Sequence, residues 1–105
     1  MIVQTRMESD GTVTLSVDAK TLTSANATEF RETANSVIGP ATLRVVVDCS
    51  QLEFIDSAGV AAFIYANKLL SESRRPLCLT GVGKKVLCTL ELMRVHRQFD
   101  LELAK

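Results

Sequence analysis

An excess of either charge is missing from this chain: 12 lysines and arginines balance 12 aspartates and glutamates over 105 residues. A nucleic-acid-binding domain usually carries a basic excess on one face or stripe, so that class is not expected. An apolar run of the ~20 residues that span a bilayer is missing too; the longest such stretch is broken by Tyr65, Asn67 and Lys68, and no membrane insertion is expected. The first residues, Met1-Ile2-Val3-Gln4-Thr5-Arg6, lack a basic leader followed by a continuous apolar core, which predicts a protein of the cytoplasm. Cysteine is sparse and odd in number. Cys49, Cys78 and Cys88 have no C-x-x-C spacing, which suits reduced, mostly buried thiols. With His96 the only histidine, no clustered metal-ligand set is visible, and neither a metal nor a cofactor is expected. Repeats and low-complexity linkers are absent. What is present is ordinary for a globular chain: 47% hydrophobic and 23% charged residues, enough to exclude disorder as the main state and short enough for one domain over residues 1–105.

Along the chain the hydrophobic period alternates between two and about 3.6. Ile2 and Val3 precede polar Gln4-Thr5-Arg6, then a turn cluster Glu8-Ser9-Asp10-Gly11, then Val13, Leu15 and Val17 alternating with hydroxyl residues; this predicts an antiparallel hairpin. Thr21-Leu22-Thr23-Ser24 has the hydroxyls of a helix start, and Ala27, Phe30, Ala34, Val37 and Ile38 follow at helical spacing until Gly39-Pro40. Leu43-Arg44-Val45-Val46-Val47 predicts a central strand covered on both faces. Val60 to Leu70 is helical in pattern and apolar almost all round, hence buried or turned toward a partner. A loop over residues 71–76, a strand Leu77-Cys78-Leu79-Thr80, a loop Gly81-Val82-Gly83, a helix marked by Val86, Leu87, Leu90 and Met93, and a final strand with Phe99, Leu101 and Leu103 complete the chain. The order β-β-α-β-α-β-α-β predicts an α/β fold with a mixed, mostly parallel sheet, an N-terminal hairpin and crossover helices.

Function in such sheets gathers beyond the carboxyl ends of the strands. There the sequence places Asp48, Asp56-Ser57-Ala58-Gly59 and Gly81-Val82-Gly83. Asp56 and Ser57 stand where a helix N-cap belongs. One reading is capping alone. The other is that Ser57 accepts a phosphate: the free amides and dipole of a helix start favour negative charge, so the dianion would be tolerated without refolding. Gly59 admits close backbone approach, and Val60, Phe63 and Ile64 offer apolar contacts behind it. Arg94-Val95-His96-Arg97 suits a helix C-terminus, and Arg74 and Arg75 suit a solvated loop.

The stretch Leu43-Arg-Val-Val-Val-Asp-Cys-Ser-Gln-Leu-Glu-Phe-Ile-Asp-Ser-Ala-Gly-Val60 resembles the signature of the STAS domain, and is closest to the bacterial anti-sigma factor antagonists. Leu22 to Phe30 resembles that family's first helix start, and Leu79-Thr-Gly-Val-Gly-Lys-Lys-Val86 with Leu90 its fourth strand, loop and third helix. The resemblance implies a partner switch. The unphosphorylated chain would bind an anti-sigma factor with serine kinase activity and free the sigma factor. Phosphorylation at Ser57 would end that binding, and a serine phosphatase would reset it. It implies a partner-binding set of Thr23, Asp56, Ser57, Ala58, Gly59, Val60, Phe63 and Ile64. A monomer is expected, with the long apolar second helix able to support a weak dimer. Two departures stand out. Thr23 occupies a position where members often carry aspartate, and the chain stops at Lys105 where many continue into a further helix.

Two other classes compete with this reading. Similar small STAS domains serve as non-phosphorylated accessory subunits on the ATPase of lipid-transport ABC complexes; those tend to carry threonine in place of the serine. An enzyme is disfavoured. Asp48 and Asp56 are the only acids near the site, too few for a magnesium-dependent phosphoacceptor, and Ser57 has no base within its own segment. Gly81-Val82-Gly83-Lys84-Lys85 lacks the phosphate-loop spacing.

Overall fold

The protein is described from a computed structural model over residues 2–104; Met1 and Lys105, which the expected domain limits include, lie outside the described residues. Ten elements follow in order: β1 (Val3–Met7), β2 (Thr12–Val17), β3 (Thr21–Leu22), α1 (Ala27–Val37), β4 (Arg44–Asp48), β5 (Phe54–Ile55), α2 (Ser57–Leu69), β6 (Cys78–Val82), α3 (Lys84–Leu92) and β7 (Asp100–Leu103). The expected order holds, with two additions: the two-residue strands β3 and β5, which pair in parallel as a separate small sheet. Neither is long enough to show an alternating pattern.

The main sheet has the order β1-β2-β4-β6-β7. The hairpin β1-β2 is antiparallel, with Val3 opposite Val17 and Met7 opposite Val13; every later pair is parallel. Each crossover therefore steps in the same direction across the sheet. With right-handed connections, all three helices fall on one face. Burial agrees. Val13, Leu15, Val17, Val45 and Val47 are buried beneath the helices, while their neighbours Thr12, Thr14, Ser16, Val46 and Asp48 on the other face are only half-buried. This corrects the expectation that β4 is covered on both faces. Its side chains alternate, and its continuous Val45-Val46-Val47 run concealed that.

Other limits shift for physical reasons. Thr21-Leu22-Thr23-Ser24 does not begin α1. Thr21 and Leu22 extend to pair with Phe54 and Ile55, and a turn separates them from Ala27. In that turn the Thr23 N–H donates to Asn26 Oδ1 at 2.8 Å, and Asn26 Nδ2 donates to the Thr21 carbonyl at 2.8 Å. Hydroxyl residues close turns as readily as they cap helices, so the local signal was ambiguous. Gly81-Val82 is strand rather than loop. Gly81 sits at φ 64° in an irregularity of the β6–β7 pairing, where a Cβ would lie 2.9 Å from Ser50 Cα. Arg74 and Arg75 are not simply solvated. Arg74 Nη1 donates to the Pro40 and Thr42 carbonyls, and Arg75 reaches the carbonyls of Asn67, Lys68 and Leu70 at 2.9–3.1 Å, capping the end of α2.

The core is tied together by Phe63. Its ring meets Phe30 of α1 edge-on at 5.3 Å between centroids, and Phe99, just before β7, at 6.4 Å.

Candidate functional site at the start of the second helix

The parallel strands β2, β4 and β6 end on one edge of the sheet, and the β5–α2 junction lies there. Asp48, at the end of β4, takes the Ser50 N–H on Oδ1 at 2.9 Å, which closes the turn into the connector. β5 then delivers the chain to Asp56, the N-cap of α2, whose extended backbone precedes the first helical residue, Ser57. Asp56 has both carboxylate oxygens engaged by backbone amides. Oδ1 accepts from Gly59 N–H at 3.0 Å, and Oδ2 accepts from Ser24 N–H at 3.4 Å. One side chain thus satisfies a free amide of α2 and fastens the β3–α1 turn beside it. Asp56 is thus the helix cap its position suggested and also a brace for the neighbouring turn.

Ser57 is exposed at the first position of the helix. Gly59 is buried against β3: a Cβ there would lie 2.6 Å from Ile55 Cγ1 and would overlap the Leu22 carbonyl oxygen. Thr23, Ala58 and Ile64 are half-buried. Thr23 lies in the turn next to Ser24, and its Oγ1 accepts from Ala25 N–H at 3.3 Å. Val60 and Phe63, expected to face a partner, are corrected: both are fully buried and face α1 and the sheet. The nearly all-apolar pattern of α2 left its outward side undefined. In the structure that side carries exposed Ser57 and Ala61, four residues apart, with half-buried Ile64 and Tyr65 beyond. Tyr65 donates to Asn35 Oδ1 at 3.2 Å and lies under the Arg31 guanidinium at 5.0 Å.

Two surface residues at this edge escaped the sequence reading. Ala61 could have been found from its i+4 relation to Ser57. Phe54 is 50% exposed, although it sits in the motif between buried Leu52 and Ile55; with β5 only two residues long, no local pattern marked its direction. Of the cysteines, Cys49 and Cys78 are buried and Cys88 is exposed. Burial, with Asp48 nearby, pushes the Cys49 thiol up to about 12. Among the described residues there is no group of three or more His, Cys, Asp and Glu side chains placed to hold a metal, and no helix long and apolar enough to cross a membrane.

Comparison with curated proteins finds no match. Among solved structures, a STAS-domain anti-sigma-factor antagonist protein from Planctomyces limnophilus superposes with a TM-score of 0.84 at 14% identity, over 98% of this chain and 91% of that one. RsbS from Moorella thermoacetica, solved as a serine-to-glutamate variant, superposes at 0.73 with 24% identity, over 96% and 86%. The Bacillus cell fate determinant SpoIIAA, solved in its phosphorylated form, superposes at 0.70 with 16% identity, over 94% and 89%. At these identities the likeness is one of fold. A family model described as "Mlab, STAS domain" matches residues 5–103, nearly the whole length of the fold and all of the Asp56-Ser57-Ala58-Gly59 site. The chain belongs to this family of STAS-domain proteins.

Proposed function

We propose that the chain is a single STAS domain over residues 1–105 that acts in the cytoplasm as an anti-sigma factor antagonist, without catalysis of its own. Unphosphorylated, it binds an anti-sigma factor that is also a serine kinase, and so releases the sigma factor. Phosphate on Ser57 ends the binding, and a phosphatase restores it. The observation that carries this reading is the exposure of Ser57 at the first position of a helix whose cap, Asp56, is already made. The hydroxyl is accessible to another protein, and the helix start favours a dianion. A dianion in a closely packed contact brings desolvation and like-charge repulsion, while the fold beneath is untouched. The partner surface is revised to the exposed and half-buried residues: Ser57, Ala58, Ala61 and Ile64 of α2, with Thr23 and Ser24 across the junction. The fold neighbours described as anti-sigma factor antagonists support the same reading.

The test is capture from source cells with wild type, Ser57→Ala and Ser57→Glu, with captured proteins identified by mass spectrometry. Wild type and Ser57→Ala are expected to retain a histidine-kinase-like anti-sigma protein that Ser57→Glu loses. Retention by all three forms would remove the switch. A second reading, an accessory subunit of a lipid-transport ABC complex, is favoured by the description of the matching family as Mlab. Copurification with a transporter ATPase, equal for wild type and Ser57→Glu, would establish it instead.

A further inference from the structure

α3 begins against the dipole rule. Lys84 and Lys85 are its first two residues, both exposed, at the end of a helix that favours negative charge. Its first turn contains no acid, and its N-cap, Gly83, offers no side-chain acceptor. Among the described residues neither lysine forms an ion pair. The two cations therefore raise the energy of the free chain.

They also stand over a groove. A depression of about 200 Å³ is lined by Leu52, Glu53, Gly83, Lys84, Lys85 and Val86. Its apolar side chains, Leu52 and Val86, are buried. α3 packs on β5, and β5 runs directly into Asp56 and Ser57. The groove and Ser57 share the edge where the parallel strands end.

We infer that this groove receives an acidic segment of the partner protein, with carboxylates over Lys84 and Lys85. The inference rests on the reading that a partner docks at the start of α2, and names the chemistry that partner must bring. Positive charge from two lysines and a helix start complements carboxylates. The single acid on the rim, Glu53, disfavours a dense polyanion. An anionic membrane would call for a larger basic cluster, of roughly 4–8 lysines and arginines, in a chain whose net charge is zero. The same arrangement strengthens the switch: a phosphate on Ser57 would repel an acidic segment seated on the same edge.

The test uses the intact, isotope-labelled chain and three probes followed by amide chemical shifts: an amphipathic Leu/Glu peptide, its Leu/Lys counterpart, and phosphatidylglycerol vesicles. The Leu/Glu peptide is expected to move the amides of Glu53 and of Gly83 to Val86. A K84E/K85E variant should weaken that binding by about tenfold or more. The same variant should melt at a higher temperature than wild type, because acids now occupy the start of α3, so lost binding cannot be ascribed to lost folding. Equal shifts with the Leu/Lys peptide, response to vesicles alone, or no response in these amides would overturn the assignment. If the Leu/Glu peptide binds the groove with the same affinity in Ser57→Glu, the groove stands and its repulsion by charge at Ser57 falls.

Discussion

The backbone of α2 approaches β3 as closely as it does because position 59 has no Cβ. A methyl group there would overlap the Leu22 carbonyl oxygen and press on Ile55, and the obstacle is backbone, which cannot rotate away. Gly59→Ala is expected to lower stability by about 1–3 kcal/mol in urea unfolding, despite the better helix propensity of alanine. Asp56 acts differently, through hydrogen bonds. Asp56→Ala frees one amide of α2 and one of the β3–α1 turn, and should cost about 1 kcal/mol. Cys49 links the core to pH. Its thiol is held at about 12 against an ordinary 9.0, so above pH 9 the unfolded chain releases a proton that the folded chain retains. Stability is full below the unfolded value and falls as pH rises from about 9 toward 12. Alkaline denaturation series should show a shallower decline for Cys49→Ala than for wild type.

At the scale of elements, α2 is fastened at both ends by side chains that flank it in the sequence. Its start is capped by Asp56, and its last carbonyls receive the guanidinium of Arg75. Arg75 is exposed, so water competes for these bonds, and Arg75→Ala should cost only roughly 1 kcal/mol in chemical denaturation. Arg75→Lys should recover little, since an ammonium lacks the fork that spans three carbonyls. Helix and strand types were legible because each period ran long enough to declare itself. Strands β3 and β5 were not: two residues carry no period, and each finds its only strand partner in the other. The Arg75 contacts were equally hidden, because a loop composition says nothing of which carbonyls lie within reach.

Across the whole molecule, Phe63 joins α1, α2 and the approach to β7. Truncating it opens a cavity where three elements meet, and Phe63→Ala is expected to cost about 3–5 kcal/mol, a large share of the roughly 5–15 kcal/mol that holds a small domain. Thermal unfolding followed by circular dichroism would show it. Ser57→Glu bears on function without this penalty. Its far-ultraviolet spectrum and melting temperature should match wild type or slightly exceed it, since an acid at the first position of α2 suits the dipole. The two substitutions lie six residues apart on one helix, yet one acts on the fold and the other on its surface.

The amino-acid sequence by itself determined the kind and order of the main elements, the parallel core of the sheet and the Asp56-Ser57-Ala58-Gly59 turn. These depend on local period, caps and turn residues, which are written in consecutive positions. Only the tertiary structure decided which side of α2 faces outward, because a helix apolar on every side has no direction until α1 and the sheet take their share of it. Val60 and Phe63 went inward, and Ser57 and Ala61 stayed in solvent. Tertiary structure also brought Ser24 to Asp56, 32 residues away, and the start of α3 to β5. Such neighbours are set by the crossover geometry of the sheet, which no single segment contains.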